Sequence, residues 1–110
     1  MLNDGNGWAA GPDGSRLWGR FGAAGLLVLT PDGKVLMQYR AEWTSCPLTW
    51  GVPGGARDSH ETAADAALRE VEEETGLTAD QVRVLGTEVT SGPFPADPGR
   101  PDLAGGWTYT

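Results

Sequence analysis

Residues 55–77 read GARDSHETAADAALREVEEETGL, and this stretch decides the fold of the chain. Thr62 followed by Asp65 has the spacing of a capping box, which starts a helix. Apolar residues then recur at the spacing of one buried helical stripe, as Ala64, Ala67, Leu68 and Val71. Gly76 is free to take the left-handed conformation that ends a helix. The stretch therefore predicts a helix over residues 62–75.

The predicted helix also carries most of the glutamates. Five of the seven lie between Glu61 and Glu74. At helical spacing, Glu70, Glu73 and Glu74 share an arc of about 100°. Like charges so placed repel by about 0.2–0.5 kcal/mol per pair, and the helix dipole disfavours anions near the C-terminal end. A hard divalent cation such as Mg²⁺ would reverse this cost, whereas a merely solvated acidic face is the alternative.

Length and composition limit the classes of protein that remain. The 110 residues allow one domain, and a net charge of −7 argues against a grip on nucleic acid polymers. Cys46 is the single cysteine and His60 the single histidine, which excludes an internal disulfide and a zinc site built from the two. Ala23 to Leu29 is the longest apolar run, far short of the roughly 20 residues that a bilayer requires. With no basic N-terminal region either, we expect a soluble cytoplasmic protein.

The pattern outside the helix gives a coarse map of the chain. Residues 1–20 show neither a helical nor a strand period, which predicts a flexible N-terminal lead-in before a domain at 21–110. The turn signal Thr30-Pro31-Asp32-Gly33 predicts a hairpin. The expected strands are Phe21–Thr30, Lys34–Arg40, Val82–Val89 and one that starts at Trp107, with a long loop over residues 91–106.

The glutamates also belong to a wider motif. Gly55, Glu61 and the run REVEEETGL at residues 69–77 match G-x5-E-x7-R-E-U-x-E-E-x-G-U without deviation, where U is a bulky aliphatic residue. This motif resembles the signature box of the Nudix hydrolases, and the run Gly51-Val52-Pro53-Gly54-Gly55 resembles the family's lead into the box. The resemblance, which covers about residues 20–90, implies an α+β Nudix fold: a mixed β-sheet sandwiched between helices (α/β/α). It also implies late strands and a second helix after Tyr109, so the chain is expected to be incomplete at its C-terminus.

The resemblance further implies a reaction. Nudix hydrolases use Mg²⁺ or Mn²⁺ and water to cleave a phosphoanhydride bond in a nucleoside diphosphate linked to another moiety. By position, the implied metal ligands are Glu70, Glu73, Glu74 and the Gly54 carbonyl, and the implied catalytic residues are Glu70, Glu73 and Arg69. Glu61 would pair with Arg69 and so orient Glu70. The implied partner is a small-molecule nucleotide, with no nucleic acid polymer and no membrane, and a homodimer is left open.

Several points remain open at the level of sequence. Arg40 and Phe94 are candidates to contact substrate, as a phosphate ligand and a base-stacking ring. The general base is open among five acidic residues, namely Glu70, Glu73, Glu88, Asp97 and Asp102. ADP-ribose, NADH and oxidised nucleoside triphosphates are all open as substrates.

Three other functions compete with hydrolysis. The first is a non-catalytic Nudix-like domain that binds a nucleotide and regulates a partner, although such domains usually lose box glutamates. The second is an isomerase of isopentenyl diphosphate, which is disfavoured because His60 alone cannot supply its histidine-bearing metal site. The third is an acidic domain that only buffers divalent cations, which metal binding without turnover would reveal.

Overall fold

The computed structural model describes residues 4–39 and 49–110. These residues form one α-helix and eight short strands. The helix α1 is Ala63–Thr75, and the strands are β1 Trp8–Ala10, β2 Arg16–Trp18, β3 Ala23–Gly25, β4 Gln38–Tyr39, β5 Trp50–Gly51, β6 Gly54–Ala56, β7 Ser91–Phe94 and β8 Trp107–Tyr109. Two short 3-10 turns lie at Pro12–Gly14 and Ala79–Gln81.

The central element is a four-stranded sheet with the order β6-β3-β8-β7. Strands β3 and β8 are parallel, whereas β6 pairs antiparallel with β3 and β7 pairs antiparallel with β8. The predicted mixed sheet is therefore confirmed. Helix α1 packs against β3 and β6, at one edge of this sheet. A second helix is not present among residues 4–39 and 49–110.

Helix α1 begins and ends where its capping residues predict. The Asp65 backbone N–H donates to Thr62 Oγ1 at 3.1 Å, and the Thr62 N–H donates to the Asp65 carboxylate in return. At the other end Gly76 has φ 80° and donates its N–H to the Glu72 carbonyl. The predicted helix is confirmed. No helix in the described part of the chain combines the length and apolar character needed to cross a membrane.

Small side chains let the helix approach the sheet closely. Ala24 on β3 is fully buried against Ala66 and Ala67 on α1, and Val71 is 1% exposed. The predicted stripe is correct at Ala67 and Val71, whereas Ala64 and Leu68 are only partly buried and Ala66 is buried instead. The helix face that contacts the sheet is rotated slightly from the predicted stripe. Ala66 therefore packs against Ala24 on β3.

Strands β1 and β2 form an N-terminal hairpin within residues 1–20, where the sequence predicted a flexible lead-in without secondary structure. Strands β1 and β2 pair antiparallel, with Trp8 opposite Trp18. Ala9 and Ala10 on β1 are fully buried, and the Ala10 N–H donates to the Ala104 carbonyl at 2.8 Å. Each of these strands is only three residues long and is flanked by glycines. Three residues are too few for an alternating pattern to be recognised in the sequence.

The strand predictions are partly wrong. The hairpin turn is confirmed, because Leu29 bridges Val35 around it, but β3 covers only three of the ten residues expected in Phe21–Thr30. Residues 82–89 form no strand; they line an open apolar groove of about 950 Å³, and Leu85 is 80% exposed. An alternating apolar pattern does not by itself produce a strand where no neighbouring strand supplies hydrogen bonds.

The expected loop at 91–106 contains a strand. Ser91–Phe94 is β7, with Ser91 opposite Tyr109 and Phe94 opposite Trp107. The four glycines and four prolines of residues 91–106 predict a loop. Within β7, Pro93 lacks an N–H donor. An irregular register between Ser91 and Phe94, on an edge strand, accommodates that missing donor.

Candidate active site

Two glutamates of the last turns of α1, Glu70 and Glu74, lie against strand β6, and a third, Glu73, lies on the same helix beside Arg69. Glu74 Oε2 accepts the Gly54 backbone N–H at 3.0 Å. A Cβ atom added to Gly55 would lie 2.6 Å from the carboxyl carbon of Glu70, so only glycine leaves room for that carboxylate against the strand. Glu73, one helical turn after Arg69, lies 3.5 Å from the Arg69 guanidinium. The structure thus places Glu70 and Glu74 against β6 and Glu73 beside Arg69, and the role of these residues and of the Gly54 carbonyl as metal ligands stays a prediction.

Arg69 connects these carboxylates to the loop before the helix. Its Nε and Nη2 donate to the two carboxylate oxygens of Glu61 at 2.7 and 2.8 Å. Its Nη1 donates to Glu70 Oε1 at 2.9 Å, and Nη2 also donates to the Ala56 carbonyl at 2.9 Å. A bidentate pair of this kind fixes direction as well as distance. The guanidinium therefore holds the Glu70 carboxylate at one orientation next to β6.

The charges in this cluster are unevenly compensated. Burial raises the pKa of the Glu70 carboxyl, and the hydrogen bond from Arg69 opposes that rise without cancelling it. Burial likewise raises the pKa of the Glu74 carboxyl, and the negative charges of Glu70 and Glu73 add to the rise. The pKa of Glu61, by contrast, is lowered by the hydrogen bond from Arg69. The contacts of Glu61 thus favour its charged form, whereas at Glu70 and Glu74 the loss of hydration on burial outweighs the contacts that favour the charged form.

The residues present fit a hard divalent cation. Carboxylate oxygens on the same helix face are the donors that Mg²⁺ and Mn²⁺ prefer. Because burial disfavours the charged form of Glu70 and Glu74 and raises the pKa of each, positive charge placed beside these carboxylates would favour the charged form. The side chain of Glu73 is 58% exposed, so it can turn toward an ion without leaving a packed position.

A second acidic group lies on the other side of Arg69. Within the described ranges, Asp58, His60 and Glu61 are the one set of three metal-type side chains whose ligand atoms lie within 4.8 Å of one another. Their oxygens already have partners, because Asp58 Oδ1 accepts the Gly5 N–H and Glu61 binds Arg69. The guanidinium supplies the positive charge there. This group forms an ion-pair network with Arg69, and the assignment of the cation to Glu70, Glu73 and Glu74 stays a prediction.

The two substrate candidates are not brought to the cluster by the described structure. Phe94 lies on β7, which β8 and β3 separate from β6, and its ring stacks on Trp107 with centroids 6.1 Å apart. Arg40 and Cys46 lie outside the described residues. Of the later acidic residues, Asp97 is bound by Arg100 at 2.8 Å. The choice of general base therefore stays a prediction.

Two residues of the site were missed by the sequence analysis. Gln38 on β4 hydrogen-bonds the Glu74 carboxylate, and this contact opposes the rise in the Glu74 pKa. Asp58 is buried with 4% exposure beside Arg69. Neither residue could be found from the motif, because Gln38 lies outside the box and Asp58 occupies one of the five unspecified positions between Gly55 and Glu61.

Comparison with known proteins agrees with this geometry. The model of the NUDIX domain matches residues 19–108, which include both the sheet and the box helix. The chain belongs to the Nudix family. The predicted family and fold are therefore confirmed.

Relatives of this Nudix chain include named hydrolases. "Putative 8-oxo-dGTP diphosphatase 3" of Mycobacterium tuberculosis is 48% identical over the whole chain, and the chain covers 50% of that protein. The crystal structure of a Nudix hydrolase from M. smegmatis, RenU, is 46% identical with a TM-score of 0.75, over 94% of this chain and 65% of that one. An RNA pyrophosphohydrolase of Erythrobacter litoralis is 37% identical over 56% of this chain and 37% of its own. The chain thus spans about half the length of the mycobacterial relative.

Proposed function

We propose that this Nudix protein hydrolyses a phosphoanhydride bond in a nucleoside diphosphate derivative, with a divalent cation as cofactor. The observation that carries the proposal is the placement of Glu70 and Glu74 against Gly55 and Gly54 of β6, where burial raises the pKa of both carboxyls. Glu73 lies beside Arg69 on the same helix. The Glu70 side chain is only 17% exposed and Glu74 accepts a backbone N–H of β6, contacts that a merely solvated acidic face would not require. The diphosphatase and pyrophosphohydrolase names of the relatives support the same reaction class.

Glu70, Glu73, Glu74 and the Gly54 carbonyl would hold Mg²⁺ or Mn²⁺. When bound, such an ion neutralises the diphosphate charge and lowers the pKa of the attacking water. Arg69 keeps the Glu70 carboxylate directed at the site, and Glu61 keeps Arg69 in place. Glu70 and Glu73 are the nearest groups that could accept a proton from that water. Arg69 thus serves the reaction through Glu70, without contact with the reacting atoms.

For the substrate, we infer a nucleoside triphosphate with an oxidised base as the first candidate. The support is the 48% identity with the mycobacterial protein whose name specifies 8-oxo-dGTP. A small nucleotide also fits the net charge of −7, because a bound cation can bridge acidic side chains to phosphate where a polymer would be repelled. We place the reaction in the cytoplasm, where nucleotides and Mg²⁺ occur together.

A substrate panel tests this proposal. The chain is incubated with 8-oxo-dGTP, ADP-ribose, NADH and a dinucleoside polyphosphate, each with Mg²⁺ and with EDTA. We expect hydrolysis in Mg²⁺ only, fastest for 8-oxo-dGTP. Tight nucleotide binding without hydrolysis in a folded chain would instead indicate a regulatory domain. Binding of Mg²⁺ with neither nucleotide binding nor hydrolysis would indicate a cation buffer.

A further inference from the structure

The loop that leads into helix α1 is held by residues from the start of the chain. The Gly5 backbone N–H donates to Asp58 Oδ1 at 2.9 Å in a buried position. The Ser59 N–H donates to Asp4 Oδ1 at 2.9 Å, and the Ser59 hydroxyl donates to the other Asp4 oxygen. Asp4 and Gly5 lie before residue 19, where the match to the family model begins. The Asp4–Gly5 side of this contact therefore lies outside the residues that match the family model.

Gly5 fits its position closely. A Cβ atom at Gly5 would overlap the Arg57 carbonyl oxygen and lie 2.8 Å from Asp58 Oδ1. The carbonyl of Gly5 accepts the Arg20 N–H at 2.8 Å, which fixes the segment from its other side. Two hydrogen bonds and close packing thus seat residue 5 against the loop.

Asp58 connects the segment Asp4–Gly5 to Glu61 and Arg69. It is 4% exposed, and its backbone N–H donates to Glu61 Oε1 at 3.0 Å. Its Oδ2 atom lies 3.8 Å from Arg69 Nη2. Asp58 therefore contacts both members of the ion pair that orients Glu70. A shift of the Asp58 side chain would move the guanidinium, and with it the Glu70 carboxylate.

We propose that the segment Asp4–Gly5 positions the active site, by holding Asp58 against Glu61 and Arg69 so that Glu70 points at the cation. The inference rests on the proposed function for its kinetic consequence, although its structural part does not. The segment makes no contact with substrate; it acts through the Arg69 guanidinium. Misplacement of a reacting group by about 1 Å can cost about 100-fold in rate, so a partial displacement should be measurable.

Gly5→Ala in the full chain tests the proposal, with Gly86→Ala as the matched control because a Cβ at Gly86 meets nothing within 4 Å. We expect Gly5→Ala to lower kcat about tenfold while KM changes by less than about twofold. Gly86→Ala should leave both constants unchanged. In an Arg69→Lys background, Gly5→Ala should lower kcat little further, because both changes disturb the contact between Asp58 and residue 69. Equal loss in both backgrounds, or a loss confined to KM, would overturn the proposal.

A second measurement separates this inference from the proposed function. In a ¹H–¹⁵N spectrum, the Arg69 Nε–H resonance, assigned by its loss in Arg69→Lys, should be sharp and should shift in Gly5→Ala but not in Gly86→Ala. This readout needs no turnover, so an inactive wild-type chain with the expected shift would refute the proposed function alone. An unchanged resonance would refute the positioning role. If Gly5→Ala fails to fold, Asp4→Ala, which removes both contacts to Ser59, carries the same test.

Discussion

Arg69 binds both carboxylate oxygens of Glu61, from Nε at 2.7 Å and from Nη2 at 2.8 Å. Glu61 is 8% exposed, and the Arg69 side chain is 22% exposed. The pair joins the loop that precedes α1 to the middle of the helix, so it holds together the two halves of the box. Because the same guanidinium also binds Glu70, the stability of the loop and the geometry of the site depend on one side chain.

Loss of the Glu61 charge should destabilise the protein. Glu61→Gln keeps one acceptor but leaves the half-buried Arg69 guanidinium short of a counter-charge. We expect the free energy of unfolding to fall by about 2 kcal/mol, below the range for a fully buried pair because Arg69 retains Glu70. Urea unfolding followed by circular dichroism measures this, with the exposed Glu72→Gln as control. A fall equal to that of the control would contradict the structural role of the pair.

The same pair predicts a pH dependence. The hydrogen bond from Arg69 lowers the pKa of Glu61 below its ordinary value of 4.5. The folded state therefore binds the proton less tightly than the unfolded chain, so the stabilisation is fully present above about pH 4.5 and is lost as the pH falls through the folded value. The difference in stability between wild type and Glu61→Gln should shrink as the pH falls below about 4.5. A difference that grew over this interval would show that the sign is wrong.

Glu74 should behave in the opposite way. Burial raises its pKa, so its charge disfavours the folded state at neutral pH when no cation is present. Glu74→Gln in EDTA should raise the melting temperature by about 1–2 °C, since the glutamine oxygen can still accept the Gly54 N–H. Added Mg²⁺ should stabilise the wild type more than the variant. Equal stabilisation of both by Mg²⁺ would remove Glu74 from the cation site.

Because Gly55 packs closely against Glu70, a substitution at Gly55 should lower activity while leaving the fold intact. A side chain there would displace the Glu70 carboxylate, whose atoms lie 2.6–2.8 Å from the added Cβ. Because that carboxylate can rotate outward, Gly55→Ala should fold and still lose about tenfold or more in kcat. Melting temperature and turnover are measured side by side, again against Gly86→Ala. Full activity in Gly55→Ala would mean that the orientation of Glu70 seen here is not needed.

The sequence predicts the helix and the acidic cluster because both depend on local spacing. Thr62, Gly76 and the glutamates of α1 lie within one 13-residue helix and its caps, where residue order alone sets the geometry. Asp58 and Gly5 could not be paired in advance, because their contact joins residues 53 positions apart. Strand β7, which was not predicted, and the strand wrongly predicted at residues 82–89 also depend on contacts between residues far apart in the sequence. Whether a segment becomes a strand depends on a distant partner such as β8, which the local pattern does not contain.

The most direct test of metal-dependent hydrolysis compares two neighbouring glutamates of the same helix. Glu73 lies in the cluster with Arg69, 3.5 Å away, whereas Glu72 belongs to the exposed part of α1 and is the matched control. Initial rates on 8-oxo-dGTP are measured in Mg²⁺ for wild type, Glu73→Gln and Glu72→Gln. We predict that Glu73→Gln lowers kcat by about 100-fold or more and that Glu72→Gln changes it by less than about twofold. Equal rates for the two variants would contradict the account.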